Sequence, residues 1–150
     1  MLSRRSVLAG LTFSIACPLT LRAQTAPVFY SAKGAAITGY DAVSYFRDGG
    51  PVQGRPDIAV MWKGATWRFA SQENREAFEL NPRAYAPRFG GYCAYAMAYG
   101  ELTSTDPMAW KIVGGRLYLT HSLEIEKMWL TDTTGFIQKA EKNWPAILYG

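Results

Sequence analysis

The stretch from Ala65 to Pro87, ATWRFASQENREAFELNPRAYAP, constrains the fold more than any other part of the chain, because it reads without a gap as strand, cap, helix, second cap and short helix. Trp67 and Phe69 alternate with Thr66, Arg68 and Ala70, the period-two pattern of a strand with one buried face. Lys63-Gly64 before them supplies a tight turn, and Ile58, Val60 and Trp62 alternate with Ala59 and Met61 on its other side. Residues 58–70 are therefore expected to form an antiparallel hairpin. Ser71 stands at a helix N-cap, with Glu73 in the first turn against the positive end of the dipole and Arg75 paired with Glu79 one turn apart. The helix should run to about Leu80. Asn81-Pro82 then offers a new cap with proline in the first turn, and the short helix it opens should stop before Pro87.

The succession Trp67, Phe69, Ser71, Phe78, Asn81-Pro82 and Tyr85, spaced this way after a turn glycine, resembles the YHS domain, a small module associated with metal handling. Residues 39–46, GYDAVSYF, resemble its opening segment, and the remainder to Pro145 resembles a longer periplasmic branch of that family. The resemblance implies metal chemistry, with thiolates at one position of the opening segment and two around the helix start. Those positions are Ser44, Ala70 and Asn74 here, and none of them offers a thiolate to a soft metal.

At the start of the chain, SRRSVL places Arg4 and Arg5 before a modestly apolar run from Val7 to Leu21, the layout of a twin-arginine export signal. An ordinary secretory signal shares that layout. The run is too short and too rich in Gly, Thr and Ser for a spanning helix. Cleavage is expected after Ala23, giving a signal at 1–23 and a periplasmic protein of residues 24–150. Cys17 is a poor match to a lipoprotein site and is placed in the discarded segment. Losing Arg4, Arg5 and Arg22 reduces the 16 Lys and Arg to 13, against 12 Asp and Glu, so the basic balance belongs mostly to the signal. With no basic block left, nucleic acid is not an expected partner.

A chain of this length supports a single domain without disulfide staples. Gln24–Lys33 should be an extended lead-in, with Val28, Phe29 and Tyr30 free to pack on the body. Gly39–Phe46 reads as a short strand or a helical turn, and Val52–Asp57 as a loop bounded by prolines. Residues 92–99, YCAYAMAY, are expected to form a helix buried on every side, with Tyr92, Tyr95 and Tyr99 on one face, Cys93 and Met97 on the next, and Gly100 ending it. Trp110–Val113, Gly114-Gly115 and Arg116–Thr120 should form a second hairpin. Ser122 caps a helix from Leu123 to about Leu130, with Ile125, Met128 and Trp129 inward, and Thr134 caps another from Gly135 to Asn143 that Pro145 stops. The expected class is α+β: hairpins at about 58–70 and 110–120 in one small antiparallel sheet, several short helices, and a C-terminal helical extension of the YHS-like domain.

After signal removal the chain keeps one cysteine, Cys93, and one histidine, His121. A lone cysteine in an exported protein must be buried, occupied, or used between chains. Thiolate, thioether and imidazole from Cys93, Met97 and His121 suit copper. The same residues also have plain uses: a buried free thiol, a core methionine, and a histidine beside a cap. The Tyr92, Tyr95 and Tyr99 stripe can line a pocket or simply pack. Asp41 and Asp48 flank turns and are expected to accept local backbone N–H groups. There is no nucleophile elbow and no phosphate loop. Three functions remain open: copper binding or carriage at a Cys93-centred site, a metal-free module that holds a partner protein or apolar ligand, and a redox enzyme using Cys93, with Arg88 as the nearby cation.

Overall fold

The computed structural model describes Ala16 and residues 18–150, so most of the expected signal, Cys17 included, lies outside the described residues. The lead-in is tied to the other end of the chain, where the Thr25 amide and hydroxyl both donate to the Leu148 carbonyl at 2.7 and 3.0 Å. Phe29 is buried against Trp62 and Trp67, with ring centroids 5.4 and 4.9 Å away.

Strands β1 (Ser31–Ala32) and β2 (Ala35–Ala36) then form a miniature hairpin about Lys33-Gly34, both in the left-handed region at φ 51° and 78°. Helix α1 (Ser44–Arg47) resolves the ambiguity at 39–46 in favour of a helical turn. Strands β3 (Arg55–Trp62) and β4 (Ala65–Phe69) pair as expected, Val60 opposite Trp67 and Trp62 opposite Ala65. β3 begins inside the segment expected to be a loop, and its register shifts between Arg55 and Ala59. That irregularity accommodates Pro56, which has no N–H to give a ladder.

Helix α2 (Gln72–Leu80) starts where Ser71 caps it, the Ser71 hydroxyl accepting the Asn74 N–H at 3.2 Å, and Arg75 meets Glu79 at 3.0 Å. Helix α3 (Pro82–Tyr85) follows with proline in its first turn, although the Asn81 side chain makes no capping bond. Helix α4 (Ala94–Ala98) is shorter than the expected 92–99. Strands β5 (Trp110–Val113) and β6 (Arg116–Leu119) turn at Gly114-Gly115, with φ 57° and 73°. Helix α5 (Leu123–Trp129) is capped by Ser122, whose hydroxyl accepts the Ile125 N–H at 3.2 Å. Helix α6 (Thr133–Asn143) is capped by Asp132 rather than Thr134, because the Asp132 carboxylate reaches the Gly135 N–H at 3.1 Å. Met128, expected inward on α5, is 48% exposed, while Trp129 is buried.

The class is α+β. The two long hairpins do not share one sheet; with the short one they make three separate two-stranded antiparallel sheets. They meet through the side chains of β6 instead. Successive side chains of a strand point to opposite faces, and here both faces are buried: Leu117 and Leu119 enter the core built on β3, β4 and α2, while Tyr118 enters a second core with Phe89, Met97, Trp129 and Ala140. The sheets are thus joined by side-chain packing rather than by a shared ladder. In the first core Trp67 and Phe78 stack at 4.9 Å and Phe69 meets Phe78 at 5.1 Å. Each such buried side chain contributes about 1.5–3 kcal/mol. Among the described residues no helix is long and apolar enough to cross a membrane.

Candidate functional site

The three positions at which the YHS resemblance would place thiolates come together around one carboxylate. Asp41 is completely buried. One of its oxygens accepts the Val43 and Ser44 amides at 2.8 and 3.2 Å, and the other accepts the Ala70 amide at 2.9 Å and the Asn74 side-chain amide at 2.8 Å. The Ser44 hydroxyl donates to the Asp41 carbonyl at 2.7 Å and accepts the Val52 amide at 3.0 Å. Four donors saturate a carboxylate, which accepts about that many, so Asp41 pins the opening segment to the β4–α2 junction. The cluster offers a soft metal no donor, and it is structural.

The second cluster is built by the segment that follows α4. Cys93 occupies the N-cap of α4 with φ −58° and ψ 118°, and its sulfur accepts the Ala96 N–H at 3.5 Å. Its own amide donates to the Thr103 carbonyl at 3.2 Å, and the Glu101 amide donates to Ala96 at 3.1 Å, so residues 101–103 run back alongside α4. Three residues later the Asp106 amide donates to Thr120 at 3.0 Å, at the end of β6. One side of this strap is therefore fixed to Cys93 and the other to the residue before His121.

The result is a cavity of about 420 Å³ whose wall includes Cys93 and His121 together with Tyr95, Tyr99, Glu101 and Thr103. Cys93 is the free cysteine among the described residues and is only 1% exposed, so it forms the floor. His121 is exposed, and its Nδ1 lies 3.1 Å from both the carbonyl and the hydroxyl oxygen of Ser104. In the neutral tautomer with the proton on Nδ1, the ring donates to the Ser104 carbonyl and the Nε2 lone pair is left for another partner. The Thr103 hydroxyl oxygen is buried on the same wall without a hydrogen-bond partner. The Tyr95 hydroxyl is held above its ordinary pKa, first by hydrogen bonding with Tyr99, then by burial and by Tyr99 and Cys93 nearby. Tyr95 and Tyr99 pack on each other and on Phe136 at 5.2, 5.0 and 6.3 Å.

The structure thus brings two of the three expected ligands, Cys93 and His121, to one cavity. It does not bring Met97 there: that side chain is fully buried in the second core with Tyr92 and Trp129. The reason is local. Cys93 lies outside the helix, at its cap, so the four-residue spacing to Met97 does not put the two on one helical face. The tyrosine stripe divides for the same reason: Tyr95 and Tyr99 reach the cavity, whereas the Tyr92 hydroxyl donates to the Pro27 carbonyl at 2.8 Å. Tyr99 is 59% exposed, so the segment is not buried on every side. Arg88, expected beside the thiol, pairs instead with Glu141 at 3.5 Å. Glu101 and Thr103 carried no sequence signal, since their place depends on the strap. Among the described residues no three His, Cys, Asp or Glu side chains gather closely enough to hold an ion. No family model, curated protein or solved structure matches this chain.

Proposed function

We propose that the protein is an exported, YHS-like copper-binding protein that holds Cu(I) through the Cys93 sulfur and the Nε2 nitrogen of His121. The observation that carries this reading is that both residues line one cavity, from positions 28 residues apart in sequence, with Ser104 within hydrogen-bond reach of the His121 Nδ1. A thiolate and an imidazole suit copper, whereas oxygen donors such as Glu101 suit harder ions. Two protein donors leave the metal open on the solvent side, which fits carriage and hand-over better than a closed structural site. Burial of the thiol protects it in an oxidising compartment.

A metal-free module is the second reading, favoured by the exposed Tyr99 ring at the cavity mouth, which suits an apolar ligand or a partner's side chain. The two are separated by anaerobic Cu(I) titration against a competing chelator, on the full chain carrying Cys17→Ser so that Cys93 is its only thiol. Copper binding predicts one competitive site that Cys93→Ser weakens at least tenfold. Equal retention of Cu(I) by both proteins would sink it.

A further inference from the structure

On another face of the molecule lies a cavity of about 480 Å³, in the size range of about 300–1,000 Å³ typical of small-molecule sites. The lead-in, the β3–β4 turn, the segment after α3 and the C-terminal residues enclose it. Four cationic side chains, Lys63, Arg83, Arg88 and Arg116, stand on its wall, and no aspartate or glutamate does. Such a concentration is not what 16 basic and 12 acidic residues would place there by proportion. Arg83 and Arg116 also line an adjoining hollow with Asn81 and Gly115, so the positive surface continues beyond the cavity.

Two further observations point to a ligand. The Nε atom of Arg88 is buried without an acceptor, although the far end of the same guanidinium meets Glu141 at 3.5 Å. A buried N–H left without a partner is costly, and the other N–H groups of the same guanidinium remain for an anion at the wall. The apolar part of the wall includes the aromatic rings of Trp62 and Trp144 among aliphatic residues, and the Lys63 ammonium sits 5.2 Å over the Trp62 ring.

We propose that this cavity binds a small aromatic anion, a planar ring system bearing a carboxylate or phosphate group, with the ring against Trp62 and Trp144 and the head group toward Arg83, Arg88 and Arg116. Guanidinium forks match both head groups bidentately. The site is independent of Cys93 and His121, and it gives the molecule a second ligand beside any metal.

The test is equilibrium binding of 2-naphthoate and 2-naphthyl phosphate to the full chain, with naphthalene-2-carboxamide as the neutral control, read by tryptophan quenching and by calorimetry. Saturable one-to-one binding is expected, at least tenfold tighter for an anion than for the amide, and the tighter anion identifies the head group. Arg83→Ala with Arg116→Ala, both exposed side chains whose removal leaves the cores intact, should weaken the anions at least tenfold and the amide little. Lys63→Asn, which keeps a residue tolerant of the left-handed turn, should weaken them less. Equal affinity for acid and amide, no binding at about 1 mM, or anion affinity unchanged in the arginine variant would overturn the proposal.

Discussion

Asp41 shows how much one side chain can organise. It is buried with no cation among its hydrogen-bond partners, and four neutral N–H groups hold its charge. Replacing it by alanine leaves those donors without an acceptor, and a buried donor left unsatisfied costs about 1–3 kcal/mol. Asp41→Ala should therefore destabilise the protein by about 3 kcal/mol or more in urea unfolding. Asp41→Asn should recover only part of that, since its amide turns one acceptor into a donor facing donors; a loss under about 1 kcal/mol for alanine would show that water replaces the carboxylate. Sequence showed half of this role. Acceptance from the Val43 and Ser44 amides is the ordinary behaviour of an aspartate before a turn. The bonds to Ala70 and Asn74, 29 and 33 residues away, depend on how the opening segment docks, which no local pattern encodes.

The elements were legible where chemistry is local. Period-two alternation and turn residues located β3, β4, β5 and β6, and Ser71 and Ser122 marked two helix starts that the structure reproduces. Ser122→Ala should lower the melting temperature in proportion to about 1 kcal/mol, with circular dichroism showing the fold intact. An unchanged midpoint would mean that Trp129 packing alone fixes α5. The hairpin of β1 and β2 was missed because two-residue strands are too short to show alternation, although Lys33-Gly34 repeats the turn pair Lys63-Gly64 and adopts the same positive φ. The cap of α6 is Asp132 and not the expected Thr134, because both stand within two residues of the helix start and only the folded geometry decides between them. Residues 92–99 were misread as a uniform helix because their apolar character comes from two causes: Tyr92 and Cys93 are buried before the helix begins, and Met97 within it.

At the scale of the whole molecule, the strap at 101–106 links two parts of the chain that sequence could not place together. Its amides and carbonyls bond to α4 at one end and to the end of β6 at the other, and so set His121 beside the cavity floored by Cys93. The same docking leaves Met97 inside the second core. This separation gives the sharpest comparison, because a three-ligand site and a two-ligand site differ in what Met97 does. In the Cys17→Ser background, competitive Cu(I) titration should show His121→Ala binding at least tenfold more weakly. Met97→Leu, a swap of similar volume that a core tolerates at under about 1.5 kcal/mol, should bind as tightly as the parent. Undiminished affinity in His121→Ala would contradict the account, and so would a loss in Met97→Leu that matches the loss in Cys93→Ser.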